Sequence, residues 1–206
     1  MSINLNDDSF NGKEGKTPFN KGIGGIVENV LVTVEKTKAE EKAKEDPNKP
    51  LPEYKLVFTD SEGGSTNEGF YQITKEVEYN GKTTTIAEQV KKRGIYFKHI
   101  LHAMYGSDYV IPSFSTAEEM LHVTMKLIAE ASKSRHLFRV MSIIDNKEYI
   151  KVRKWSPCME PMSVPLEETR LKPSNIENYT KVTPDKPKTA TASADSLLDT
   201  DDDWNN

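Results

Sequence analysis

Between Ile86 and Ile128 the apolar residues fall at helical spacing, while on both sides of that block they alternate. Val90, Ile95, Phe97, Ile100, Leu101 and Met104 mark a first helix from Ile86, and Pro112 interrupts the pattern. Ser115 with Glu118 has the spacing of a capping box, and it opens a second helix whose stripe is Met120, Leu121, Met125, Leu127 and Ile128. Upstream, Val30, Val32 and Val34 alternate with Leu31, Thr33 and Glu35, and Tyr54, Leu56 and Phe58 share the face of a second strand. Asn67–Ile73 supplies a third, with Phe70 and Tyr71 on opposite faces, and Asn80-Gly81 suits a further hairpin turn. Downstream, HLFRVMSII and EYIKVRKW flank the polar turn Asp145-Asn146-Lys147, giving strands four and five.

Three strands, a helical insertion and two strands predict a mainly β domain built as an OB-fold-like five-stranded barrel, with the helices between strands 3 and 4. The competing arrangement is an α+β domain with helices on one face of an antiparallel sheet. Residues 1–22 read as a flexible arm, with Phe10 or Phe19 as its anchor, and 23–171 as the folded body. Residues 172–194 read as a Pro/Thr/Ser/Lys linker too poor in apolar surface to fold, and 195–206 as an acidic tip. A mean hydropathy of -0.66 over 206 residues fits a chain that is only partly packed.

The single cysteine, Cys158, excludes an internal disulfide framework and fits a reducing compartment. No apolar run approaches membrane-spanning length, and the opening MSINLNDDSF lacks the regions of a signal peptide, so the expected location is the cytoplasm. The net charge of -4 hides a segregation. Residues 1–80 carry 10 basic and 15 acidic side chains, 81–155 carry 13 and 7, and 156–206 carry 5 and 10. A basic middle between acidic ends suits an anionic ligand on one face.

That middle contains the most suggestive run. Period-2 alternation puts Ile150 and Val152 on one face of the last strand, and Tyr149, Lys151, Arg153 and Trp155 on the other. Rings that stack on bases, interleaved with cations that meet phosphates, are what a single-stranded nucleic-acid platform requires. The bland alternative is a solvated strand face whose Tyr and Trp cover a sheet edge. On the nucleic-acid reading, Arg135, Arg139, Lys147, Lys151, Arg153 and Lys154 neutralise phosphates. Tyr149 and Trp155 then stack bases, with Phe70 or Tyr71 contributing from the neighbouring strands.

Other constellations carry less. His99, His102 and His122 are a conceivable zinc set, but no Asp/Glu spacing completes a hydrolase motif and amphipathic packing explains them. Cys158 lies between Pro157 and Met159 without a nucleophile signature. Gly22-Ile23-Gly24-Gly25 precedes a strand, whereas phosphate loops follow one. The chain therefore reads as non-enzymatic and without a cofactor.

The C-terminus sets Asp199, Asp201, Asp202, Asp203 and Trp204 together, with Leu197 and Leu198 just before them. Apolar anchors among aspartates suit a peptide that docks in a basic, apolar pocket better than a purely solubilising tail. A β-barrel body, a low-complexity linker and an acidic tip with a terminal aromatic resemble the single-stranded-DNA-binding proteins of bacteriophages and bacteria. The Pro-Phe ending of the bacterial members is replaced here by Trp204-Asn205-Asn206. The resemblance implies a body that holds single-stranded DNA during replication, recombination and repair. It also implies that Asp199, Asp201, Asp202, Asp203 and Trp204 recruit replication or recombination proteins and compete with DNA for the basic groove. The alternative from another class is a phage structural or protein-interaction component without nucleic-acid binding.

Overall fold

The computed structural model describes residues 17–37, 51–79, 81–155 and 157–180. Its strands are β1 (Gly25–Lys36), β2 (Tyr54–Thr59), β3 (Ser65–Phe70), β4 (Val77–Tyr79), β5 (Lys82–Thr84), β6 (Leu137–Ile144), β7 (Ile150–Val152) and β8 (Met159–Pro161). Its helices are α1 (Ile86–Tyr105) and α2 (Ala117–Ser132). The protein is mainly β, with both helices inserted between the third and fourth strands of the main sheet, as the element order predicts.

The main sheet runs β3-β2-β1-β6-β7, with β8 paired to β6 beside β7, and every pairing in it is antiparallel. It is one open sheet of six strands, where the sequence predicts a partly open barrel of five. β4 and β5 form a separate hairpin. The sixth strand, Met159–Pro161, falls in the Pro-rich stretch after Trp155, which has no alternation to announce it.

Alternation places the core. Val30, Val32, Leu56, Phe58 and Phe70 turn inward with Phe138 and Val140, against Phe97, Ile100, Leu101, Leu121, Met125 and Ile128 of the helices. Each such side chain contributes about 1.5–3 kcal/mol on burial. A bulge between Val27 and Val30, with Asn29 at φ 57°, bends β1 along β6.

Local chemistry sets the ends of the helices. Thr85 and Glu88 form a reciprocal capping box at the start of α1. At α2 the cap is Thr116, whose hydroxyl accepts from Glu119 N at 3.0 Å, so the start lies one residue beyond the predicted Ser115. Ser115 contributes its own N–H to Glu119 Oε2 at 2.6 Å.

The folded body is longer at both ends than 23–171. Phe19 is buried, and Asp60 fastens the chain beside it by accepting Asn20 N at 2.7 Å. Gly64 is required there, because a Cβ would stand 2.7 Å from Pro18 O. At the other end residues 172–179 pack back onto the sheet. Asn178 bridges Ile144, Tyr179 O accepts Gly24 N at 2.8 Å, and Leu171 is fully buried. β6 is consequently covered on both faces, with Arg139, Met141 and Ser142 as buried as Phe138 and Val140.

Candidate nucleic-acid interface

β3 and β7 are the two ends of the hydrogen-bonded sheet, yet they run side by side in the same direction. Thr66 Oγ1 donates to Ile150 O at 2.6 Å, and Lys151 Nζ donates to Asn67 O at 3.2 Å. Just beyond, Lys154 Nζ meets Glu68 Oε1 at 2.7 Å. These are side-chain bonds; no ladder joins the two strands among the described residues.

At this seam β3, α1 and the segment after β7 enclose an open groove of about 540 Å³. Its apolar walls are Phe70, Tyr96, Ile95 and Trp155, and its charged groups are Lys92, Arg93, Lys154 and Glu68. Trp155 is 46% exposed. Arg93 is fixed by donating Nη1 to Tyr71 O at 2.7 Å, with its guanidinium 5.9 Å from the centre of the Phe70 ring. Burial lowers the Arg93 pKa from its ordinary value, and the nearby Glu68 carboxylate opposes that shift. A guanidinium stays charged even so, and a partly desolvated one is a strong phosphate ligand.

The turn between β6 and β7 presents a second group. Asp145 Oδ1 accepts from Lys147 N and Tyr149 N, both at 2.9 Å, and Glu148 takes a positive φ of 60°. This leaves Lys147 exposed and Tyr149 62% exposed at the tip. Tyr71, the residue after β3, is exposed, with its ring near Gly69. A Cβ on Gly69 would stand 2.9 Å from Pro52, so glycine is what lets the chain before β2 lie across β3.

The predicted residues therefore divide. Lys147, Tyr149, Lys151, Lys154, Trp155 and Tyr71 lie on or beside the β3–β7 seam. Phe70 is a correction: it is core, stacked with Tyr96 at 6.1 Å and tilted against Phe97 at 5.2 Å, and serves as groove floor rather than as a free platform. Arg153 is a second. Its guanidinium is buried, with Nε donating to Glu177 Oε1 at 2.7 Å and Nη2 to Lys172 O at 2.8 Å. Arg139 is a third, buried between Glu160 (Nη1 to Oε1, 2.8 Å) and Glu28 (Nη2 to Oε1, 2.8 Å). Both arginines hold the C-terminal segment to the sheet, so neither is free to meet a phosphate. Arg135 is exposed at φ 53°, at the opposite end of β6 from the turn carrying Tyr149. Asp199, Asp201, Asp202, Asp203 and Trp204 lie outside the described residues.

Sequence reasoning misses Glu68, Lys92 and Arg93. The run Lys91-Lys92-Arg93 was the available signal, but on an amphipathic helix it looks like any solvated face. The contacts from Arg93 to Tyr71 O and the Phe70 ring bring it to the end of β3.

His122 Nε2 lies 2.5 Å from Glu53 Oε1, with its ring edge on Tyr54. The described residues contain no cluster of three His, Cys, Asp or Glu side chains able to hold a metal. Cys158 is buried, which pushes its thiol pKa up to about 12. Among the described residues no helix is long and apolar enough to cross a membrane. Comparison with protein-family models, with curated proteins and with solved structures gives no match to this chain.

Proposed function

We propose that the protein binds single-stranded DNA along the seam between β3 and β7, as a non-enzymatic component of replication, recombination or repair. The observation that carries this reading is the groove at that seam. Lys92, Arg93 and Lys154 converge there on a half-exposed Trp155 above an aromatic floor. Cations spaced along an aromatic-lined groove track a phosphate backbone while the rings accept successive bases. Stacking of this kind is worth ~1–3 kcal/mol per base and tolerates any sequence, because every base has a π-face.

The sheet supports the same reading. Its two end strands lie side by side without a ladder, the condition of a partly open barrel, and the helical insertion follows its third strand. We read it as an OB-type body carrying an added sixth strand. Such bodies bind oligonucleotides on the face of strands 2 and 3 and through the loops beside it. Here that region includes Tyr71, Lys151 and the Lys147–Tyr149 turn. The acidic tip, on this reading, recruits protein partners and competes with DNA for the cations.

The test is a titration of fluorescent oligo(dT) at low and high salt, with the wild type and Trp155→Ala. Tight binding that weakens steeply with salt is expected, because phosphate contacts release counterions. The Trp155→Ala protein should bind about tenfold more weakly, within the range of one lost stack. Absence of binding at low salt overturns the reading.

A further inference from the structure

We propose that Glu68 makes the groove read the base, favouring nucleotides with an exocyclic amine, cytosine and adenine, over thymine. The inference rests on the single-strand-binding reading of the same groove.

Glu68 is the acidic side chain among cations that the groove would otherwise use for phosphate alone. It points inward from β3, and its side chain is only 15% exposed. A carboxylate that far out of water is costly unless its lone pairs are filled. Oε1 is filled by Lys154 Nζ at 2.7 Å, while Oε2 has no hydrogen-bond partner among the described residues. The two partners differ in freedom: Lys154 is 61% exposed and can swing out to a phosphate, whereas Glu68 is held on its strand.

A bound strand therefore meets a fixed acceptor beside the exposed Lys92 and Lys154 and the anchored Arg93. Like charge keeps phosphate away from Glu68, so what approaches it is the base. Carboxylates accept from the amino group of cytosine N4, and adenine N6 offers the same donor. Thymine presents the O4 carbonyl at that position, setting lone pair against lone pair. Because Trp155, Glu68, Lys92 and Arg93 line one groove, a base stacked on Trp155 would have its amine within that groove to offer to Glu68 and its phosphate to offer to Lys92 and Arg93. The groove volume of about 540 Å³ is within the range of sites that take a small ligand.

The test compares oligo(dC), oligo(dA) and oligo(dT) of equal length at one salt concentration and pH 8, with the wild type, Glu68→Gln and Lys154→Met. The wild type should bind oligo(dC) and oligo(dA) about tenfold more tightly than oligo(dT), the size of one hydrogen-bonded base contact. Glu68→Gln should bring the three together, since an amide both donates and accepts, and should raise oligo(dT) affinity by removing a negative charge. Lys154→Met should keep the preference while weakening all three, and Glu68→Ala, which should lose the preference as Glu68→Gln does, stands in should Glu68→Gln fail to fold. Equal wild-type affinities, or a preference unchanged in Glu68→Gln, overturn the base reading and leave single-strand binding standing. Failure of all three oligonucleotides to bind overturns both.

Discussion

Arg153 Nε donates to Glu177 Oε1 at 2.7 Å across 24 residues of chain, and both side chains are buried. Tyr179 closes the arrangement by donating its hydroxyl to Glu177 Oε2. A buried pair of this kind adds little relative to a well-packed apolar substitute, but losing one partner strands a charge. Arg153→Ala or Glu177→Ala should therefore each cost about 3–5 kcal/mol in urea unfolding. The same logic places the end of the fold. A chain stopped at 171 loses Glu177 and Tyr179 and should be destabilised to a similar extent, while one stopped at 181 should unfold like the full chain. Equal stability of the two truncations would dismiss the clamp.

Cations that look alike in the sequence should separate in a salt titration. Lys92, Lys151 and Lys154 lie at the seam, so replacing all three with Ala should flatten the dependence of oligonucleotide affinity on salt. The expected loss of slope is up to about three counterions, one for each phosphate contact removed. Arg139→Ala should instead lower stability through Glu160 and Glu28, leaving the slope of the folded fraction unchanged. An Arg139→Ala protein that folds normally yet loses slope would return Arg139 to the interface.

This separation marks the limit of what could be read from the chain. Val30, Val32 and Val34, and Tyr54, Leu56 and Phe58, declare their inward faces because period-2 alternation is a local property. The stripe of α2 is equally local. Arg139 and Arg153 look like surface cations because their partners, Glu160 and Glu177, lie in a Pro-rich stretch with no periodicity. Their pairing is a tertiary fact. The groove is tertiary too, since Lys92 and Arg93 reach β3 only when α1 folds back across the sheet end. Trp155 and Tyr149 stand out in the sequence because a ring in a basic strand pattern is uncommon, and the structure leaves both exposed. Phe70 was not separable from Tyr71, since adjacent residues of a strand differ only in which face the core takes.

Cys158 offers a probe of packing independent of ligand. With burial pushing its pKa up to about 12, the thiol should resist a disulfide reagent at pH 8 in the folded protein and react at once in denaturant. The linkage has a definite sign. Above the ordinary thiol pKa of ~8.5 the unfolded chain has released this proton while the folded one keeps it. Stability should thus fall as pH rises from about 9 towards 12, and Cys158→Ala should lack that part of the decline. Rapid labelling of the native protein at pH 8 would show that the segment opens far more easily than its packing implies.

The last expectation rests on charge alone. Residues 195–206 carry five aspartates and no cation, and residues 81–155 carry an excess of six positive charges. An acidic segment tethered to a basic groove competes with phosphate at high local concentration. Deleting 195–206 should raise oligo(dT) affinity severalfold at low salt, and the gain should shrink as the Debye length falls. Replacing the five aspartates with Asn should reproduce the gain at unchanged length, which separates charge from bulk. Trp204→Ala should leave DNA affinity unaltered, because a ring adds nothing to charge competition, while weakening capture of a replication or recombination protein that binds the tip. Superimposable low-salt titrations of the full and shortened chains would show that the aspartates never reach the cations of the seam.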